Sequence, residues 1–147
     1  MQQIFVEIRE KAVGLLLDLI RIPTHKTESD AVEYLAKRFE RLGIPYRTRK
    51  ITNDGRDNIV ATWGGGKRSL IFNSHMDTVS PGNIEDWKYP PFDPVRKDGR
   101  LYGRGTVDAK ASLAAMVCAL ESVVRSETPL NGRLTVAAVG CEETKGL

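Results

Sequence analysis

Five residues of this sequence have side chains and positions suited to binding a metal ion. They are His75, Asp77, Asp108, Glu142 and Glu143. Four of them follow apolar runs typical of buried strands and one precedes a helical pattern. In open α/β sheets, ligands bind at such strand ends and helix starts. Carboxylates brought together without cations repel one another, and a divalent metal removes that cost. Mixed histidine and carboxylate ligands suit Zn²⁺.

The spacing of these residues also indicates how their roles divide. His75 and Asp77 are two positions apart, so on an extended backbone their side chains share a face. Asp77 can then accept a hydrogen bond from the ring nitrogen of His75 that does not bind metal. Glu142 and Glu143 are neighbours whose side chains point in different directions. One of them can therefore bind metal while the other acts as a base.

Hydrophobic periodicity predicts the elements that carry these residues. Helices are predicted over 3–21 and 109–125, with another that opens at a capping box from Thr27 to Asp30 and stops at Gly43. Strands are predicted over 46–51, 57–63, 94–97 and 100–103, and over two buried runs, 69–73 and 134–139. Helices that alternate with apolar strands, with some hairpins, predict an α/β fold with a mixed sheet flanked by helices.

The composition is that of an ordinary globular protein. The chain has 147 residues, 41% hydrophobic and 28% charged, with a net charge of +3. That length allows one domain, and so mild a charge argues against nucleic acid or a membrane surface as the partner. No apolar run reaches the ~20 residues that span a bilayer, and the N-terminal segment lacks the uninterrupted core of a secretory signal. Two cysteines without a CxxC pair form no disulfide framework, so a reduced, cytoplasmic protein is expected.

Several short motifs also occur in a recognisable order and at recognisable separations. They are His75-Met76-Asp77-Thr78-Val79, Trp87 with Pro91-Phe92, Leu101-Tyr102-Gly103-Arg104-Gly105, Asp108-Ala109-Lys110 and Glu142-Glu143. Together they resemble the family of dinuclear zinc amidohydrolases and exopeptidases that includes acetylornithine deacetylase, succinyl-diaminopimelate desuccinylase, aminoacylase and glutamate carboxypeptidase. The resemblance covers the chain from about Leu15 onward and implies a zinc-exopeptidase-like fold.

The resemblance implies a role for each of the five residues. His75 would bind one zinc, Asp108 would bridge two and Glu143 would bind the second, while Glu142 would be the general base and Asp77 would orient His75. The implied cofactor is two Zn²⁺ ions, with Co²⁺ or Mn²⁺ as substitutes. The implied reaction is hydrolysis of an amide bond in an N-acyl amino acid or small peptide by a metal-activated water, of the deacetylase, desuccinylase or carboxypeptidase type. A non-proline cis peptide bond directly after Asp108 is also implied.

The family's pattern extends beyond this sequence. It includes a further acidic ligand after the glutamate pair, a histidine ligand near the C-terminus and a lid domain that helps to form dimers. Residues 1–147 are therefore expected to be the N-terminal portion of a truncated metallohydrolase catalytic domain, without the lid and the C-terminal part, from a homodimeric parent. Because Asp108 is shared, each zinc has two protein ligands where catalytic sites normally have three, so the isolated chain is expected to bind zinc weakly and to turn over little or no substrate.

Two other functions are compatible with the same residues. In a thiol hydrolase, Cys141 would be the nucleophile, with His75 as its base and Asp77 orienting that base. Against this alternative, the negative charge of the adjacent glutamates disfavours the thiolate that a nucleophile needs. In a non-catalytic truncated domain, the same residues would serve only folding or interaction.

Overall fold

The computed structural model describes residues 2–144, with side chains from residue 5 onward. The two ends of the predicted 1–147 unit therefore lie outside the described residues. This part of the chain forms three α-helices, five strands and one 3₁₀ turn. They are α1 (Gln2–Ile20), α2 (Ser29–Glu40), β1 (Tyr46–Lys50), β2 (Asp57–His75), the turn Ile84–Asp86, β3 (Val95–Lys97), β4 (Arg100–Tyr102), α3 (Lys110–Arg125) and β5 (Asn131–Val139).

The three helices lie where periodicity predicts them, but the start of α2 differs from the prediction. The hydroxyl of Thr27 does not form the predicted capping box. Its oxygen accepts the N–H of Ser29, at 3.2 Å, and not that of Asp30, while its O–H donates to the carbonyl of Gly55, at 2.7 Å. The residue before the helix, Glu28, makes no side-chain cap either. Thr27 therefore joins the first residue of α2 to the turn at Gly55.

The long strand β2 lies on both sides of β5. Its first arm (residues 57–64) is antiparallel to β1. This arm also pairs with β5 in decreasing register, from Ile59 opposite Ala138 onward. The second arm (residues 69–75) pairs with the same residues of β5 in increasing register and ends with His75 opposite Val139. Because a strand has two edges, β5 lies between an antiparallel arm and a parallel one, which makes the predicted mixed sheet.

The first arm of β2 ends at a glycine that the close approach of the strands requires. Gly64 has a φ of 86°, in the left-handed region that favours glycine. A Cβ at this position would lie 2.5 Å from the carbonyl oxygen of Gly132, at the start of β5. No side chain fits at that distance. The change of direction between the two arms therefore depends on a residue without a side chain.

The second arm of β2 is more exposed than the sequence predicts. Leu70 and Ile71 are 55% and 61% exposed, so the prediction of a buried run over 69–73 is wrong. The arm pairs with β5 along one edge, and within residues 2–144 no strand pairs with its other edge. Burial begins where the arm ends, at Ser74 and His75. The end of the second arm, which carries His75, is therefore buried, whereas the rest of this arm is exposed.

The hydrophobic core lies between the helices and one face of the sheet. Its buried members include Leu15, Leu19, Leu35, Phe39, Ile59, Leu113, Val117, Leu120, Val136 and Ala138. In β5 the buried residues alternate with half-buried ones, as expected for a strand with one face on the core. Cys118 is buried in α3. Within the described part of the chain, no helix has the length and apolar character that a membrane span needs.

Candidate metal centre

His75 lies where the second arm of β2 ends. Its ring is buried, and its two nitrogens have different partners. Nδ1 lies 2.9 Å from the main-chain oxygen of Asp77, and Nε2 lies 2.9 Å from Oδ1 of Asp108. Burial of the ring favours its neutral form, but the hydrogen bonds to Asp77 and Asp108 outweigh this effect and raise the pKa of His75. The carbonyl contact orients the ring so that Nε2 faces the carboxylates.

Asp77 contacts His75 through its main chain and not, as predicted, through its carboxylate. The carboxylate oxygen Oδ1 lies 3.6 Å from Nδ1 of His75. The fully buried carboxylate instead accepts hydrogen bonds from the main-chain N–H groups of Glu142, at 3.2 Å, and Glu143, at 2.9 Å. Those two N–H groups are the reason for the difference. Asp77 therefore joins the end of β2 to the turn that follows β5.

Asp108 belongs to the turn that precedes α3. The peptide bond between Asp108 and Ala109 is cis, as predicted. The Asp108 side chain is 73% exposed, and its Oδ1 is the atom that contacts His75. Below it, the hydroxyl of Ser74 donates to the carbonyl of Ala109, at 3.2 Å. The turn that carries Asp108 is thus attached directly to the strand end that carries His75.

Lys110 attaches the same turn to the end of α1. Its side chain is buried, and its Nζ donates to the carbonyls of Leu19, at 2.9 Å, and Ile22, at 2.7 Å. Burial lowers the pKa of Lys110 to about 8. Lys110 therefore fixes the Asp108 turn against the end of α1.

The turn after β5 presents the two glutamates. Cys141 is buried and has a φ of 63°, and the residues after it direct their N–H groups at Asp77. The Glu142 side chain is 58% exposed, with Oε2 3.8 Å from Nε2 of His75. Glu143 is half-buried. Partial burial raises the pKa of Glu143, and the nearby carboxylate of Asp108 adds to the rise.

The side chains brought together here fit a divalent metal. One ligand atom from each of His75, Glu142 and Glu143 lies within 4.8 Å of the others, and Asp108 reaches the same imidazole. Across residues 2–144, His75 is the only basic side chain that forms an ion pair with these carboxylates. Such a cluster of carboxylates favours a bound cation, and its donor set of imidazole nitrogen and carboxylate oxygens suits zinc. The structure thus places all five predicted site residues at one edge of the fold, and their individual roles stay predictions.

Sequence patterns assigned no role to three buried polar residues next to this site. Thr24, Glu28 and Lys110 are each at most 1% exposed. Thr24 donates to the carbonyl of Met76, at 2.7 Å, and Glu28 pairs with Arg56. These partners are distant in sequence, so no local pattern reveals the contacts. Only the fold shows that these three side chains make buried polar contacts with the segments that carry the site.

This fold is that of a known class of metallopeptidase. The chain is a member of peptidase family M20/M25/M40, whose family model matches residues 71–147. The matched span contains all five site residues. It begins inside the second arm of β2 and excludes α1, α2 and β1. The family membership and the α/β fold predicted from the sequence are therefore confirmed.

Individual relatives support the same assignment. The chain is 38% identical over 134 residues to a probable succinyl-diaminopimelate desuccinylase of Staphylococcus epidermidis, a match that covers 90% of this chain and 33% of the relative. It is similar to the M20 family metallo-carboxypeptidase Sso-CP2 from Sulfolobus solfataricus, with a TM-score of 0.78, 25% identity, and coverage of 90% of this chain and 31% of that one. Human carnosine dipeptidase 1 has the same fold, with a TM-score of 0.79, 21% identity, and coverage of 99% and 36%. The chain spans about a third of the length of the curated relatives it matches.

Proposed function

We propose that this protein is a metal-dependent hydrolase of an amide bond in an N-acyl amino acid or a small peptide. The observation that carries the proposal is the placement of His75, Glu142 and Glu143 around one point, with Asp108 on the same imidazole. The similarity to a probable desuccinylase and to a metallo-carboxypeptidase supports it. The activities to test are those of a deacetylase, a desuccinylase and a carboxypeptidase.

In this proposal the site holds two zinc ions, for which Co²⁺ and Mn²⁺ are the candidate substitutes. His75 and Glu143 would each hold one of the ions, and Asp108 would be shared between them. When bound, two divalent metal ions lower the pKa of a shared water and polarise the carbonyl of the substrate. The Nδ1 contact to a carbonyl oxygen, which can only accept, places the ring proton on Nδ1. Nε2, which contacts Oδ1 of Asp108 in this structure, is then the nitrogen that would give up its proton and bind metal.

Glu142 is the proposed general base. Its carboxylate is more than half exposed and lies beside the imidazole, where a substrate amide can approach it. It accepts a proton from the attacking water and delivers that proton to the leaving nitrogen. Asp77 fixes the main chain of Glu142 and orients His75 through its carbonyl oxygen. One buried residue thus positions the base and a metal ligand together.

Removal of metal separates this function from the thiol alternative. Cys141 is 2% exposed, and both ring nitrogens of His75 already have other partners, so this thiol is neither accessible nor paired with a base. In a form of the protein that hydrolyses amides, a chelator is therefore expected to abolish the activity and added Zn²⁺ to restore it, whereas a thiol-alkylating reagent is expected to leave the rate unchanged. The measurement is hydrolysis rate after each treatment. Activity that survives chelation and is lost on alkylation would favour Cys141 as the nucleophile.

The number of ligands predicts how this chain behaves by itself. We propose that residues 1–147 are the N-terminal portion of a larger catalytic domain. With Asp108 shared, the proposed set offers each zinc two protein ligands, one fewer than catalytic zinc sites normally have. The 147-residue chain is therefore expected to bind zinc weakly and to hydrolyse amides poorly or not at all. That the whole protein is a homodimer in the cytoplasm also stays a prediction.

A side-by-side measurement tests both statements. Metal content and hydrolysis of acetyl-ornithine, succinyl-diaminopimelate, N-acyl amino acids and short peptides are measured on this chain and on any longer product of its gene. Tight, stoichiometric zinc with robust turnover in the 147-residue chain would contradict the ligand count. If no form binds a divalent metal or cleaves an amide, the proposed function is wrong and a non-catalytic domain is the better description.

A further inference from the structure

Glu28 lies directly beneath the turn that carries the two glutamates of the site. Its side chain is fully buried, with a relative exposure of 0%. Oε1 accepts a hydrogen bond from Nη1 of Arg56, at 2.6 Å. Oε2 is buried without a hydrogen-bond partner among the described residues and lies beside Gly140, directly after β5. A carboxylate outside the metal centre is therefore in contact with the residues that precede Glu142.

Gly140 leaves no free space between this carboxylate and the turn. A Cβ at Gly140 would lie 2.9 Å from Cδ and 3.0 Å from Oε2 of Glu28, and 3.0 Å from the carbonyl oxygen of Asp57. On another side, the N–H of Gly140 donates to Oδ1 of Asn58, at 2.8 Å. The start of the turn is therefore packed between Glu28 and the first arm of β2.

The same turn is fixed from its other end by Asp77. The Asp77 carboxylate accepts the N–H groups of Glu142 and Glu143, so the turn lies between two buried carboxylates, Asp77 and Glu28. Arg56, whose side chain is 13% exposed, supplies the neighbouring positive charge. The turn therefore has little freedom to move without displacing one of these charged groups.

Stability alone does not account for a buried ion pair at this position. Removing two charges from water costs several kcal/mol per ion, and replacing such a pair by apolar residues is often neutral or stabilising. The pair between Glu28 and Arg56 lies where it limits the position of one particular turn. Thr24, four residues earlier, supports the strand end that carries His75 through the carbonyl of Met76. The loop between α1 and α2 thus contacts two of the turns that form the site.

We propose that Glu28, paired with Arg56, is a positioning residue that fixes the turn from Gly140 to Glu143. It thereby sets where Glu142 and Glu143 lie relative to His75. This inference rests on the proposed function, because it assigns Glu28 an effect on metal binding and on the general base. Glu28 itself touches neither the metal nor the substrate.

The test is zinc affinity in Glu28→Gln, measured by competition with a chromophoric chelator on the protein as its gene encodes it. The amide keeps the size of the side chain and removes the charge that Arg56 pairs with. Zinc affinity is expected to fall about 10- to 100-fold, the range typical of residues that orient metal ligands. Where amide hydrolysis is measurable, kcat falls and KM stays within about twofold, since substrate contacts are untouched.

Glu121→Gln is the matched control. Glu121 is also a buried carboxylate paired with an arginine, Arg38, with Nη2 to Oε2 at 2.9 Å, but this pair joins α2 to α3 away from the metal centre. Its loss is expected to lower thermal stability and to leave zinc affinity within about twofold of the parent protein, since no metal ligand is displaced. Equal loss of zinc affinity in both variants would show a general effect of destabilisation and would overturn the proposal.

The other possible results also test the proposed role of Glu28. If the parent protein binds no zinc, the proposed function fails and this inference fails with it. If the parent binds zinc and Glu28→Gln binds it equally well, only the role of Glu28 is wrong. Should Glu28→Gln lose its near-ultraviolet circular dichroism, Arg56→Lys replaces it, because lysine keeps the charge but not the planar donor geometry. Arg56→Lys is expected to weaken zinc binding to a smaller extent, and unchanged affinity in that variant overturns the proposal.

Discussion

In a form of the protein that hydrolyses amides, Glu142→Gln is expected to lower kcat by about 10²- to 10⁴-fold, the contribution typical of a positioned general base. Glutamine has nearly the same shape, but its amide cannot accept the proton of the attacking water. The main-chain N–H of residue 142 still reaches Asp77, so the turn keeps its position. Metal content is therefore expected to stay at the level of the parent protein. Steady-state kinetics together with metal analysis of the same sample make the measurement.

The neighbouring residue provides the control for this prediction. Glu143→Gln makes the same chemical change one position later, at the proposed metal ligand, and is expected to lower zinc affinity as well as rate. The structure brings oxygens of both glutamates into the cluster with His75, so the two variants separate the base from the ligand. The opposite pattern, with zinc lost in Glu142→Gln and kept in Glu143→Gln, would exchange the two assignments.

His75→Ala is expected to give the largest loss of zinc. The carboxylates of Asp108 and Glu142 both approach the imidazole of His75. Its removal therefore leaves a cluster of carboxylates that has lost one metal ligand and its neighbouring basic side chain. Zinc affinity is expected to fall by more than about 100-fold, beyond the range for residues that only orient ligands. Hydrolysis is expected to fall to the level of the chelator-treated protein. Competition titration and rate measurements check both.

His25→Ala is the matched control, since His25 is the only other histidine of the chain. Its half-buried ring stacks on Phe92, with the ring centroids 5.5 Å apart, and among residues 5–144 it forms no hydrogen bond or ion pair with the cluster. Zinc affinity in this variant is expected to stay within about twofold of the parent, since its ring orients no ligand. Similar losses in His25→Ala and His75→Ala would mean that zinc binds elsewhere or that either change unfolds the protein, and circular dichroism distinguishes these two cases.

The residues of the site could be predicted because each lies at the end of an element with a strong local signal. Apolar runs mark the strands before His75 and Glu142, and helical periodicity marks the start of α3 next to Asp108. Strand ends and helix starts meet at one edge of an α/β sheet, so local patterns were enough to bring these residues together. The family resemblance added the roles, and the cis peptide bond is its most specific structural expectation to be confirmed.

The contacts beneath the site could not be predicted, because they depend on how distant segments meet. The choice between the carbonyl and the carboxylate of Asp77 as the partner of His75 depends on the turn after β5, which supplies competing N–H groups. The burial of Glu28 depends on where Arg56 and Gly140 lie in the fold. The exposure of Leu70 and Ile71 depends on how many elements pack against the second arm of β2. Their hydrophobicity shows only that burial of these side chains would be favourable, not that a packing partner is present.

The position of β5 between the two arms of β2 has a consequence for how the protein is made. Residues 57–75 leave the ribosome well before residues 131–139, so the two arms have no shared neighbour until β5 has been synthesised. Pairs such as Ile59 with Ala138 close long loops, which makes this insertion an entropically costly and slow event. The strand ends that carry His75 and Glu142 meet only through that insertion. The proposed metal binding by the nascent chain therefore requires that β5 has already been inserted between the two arms.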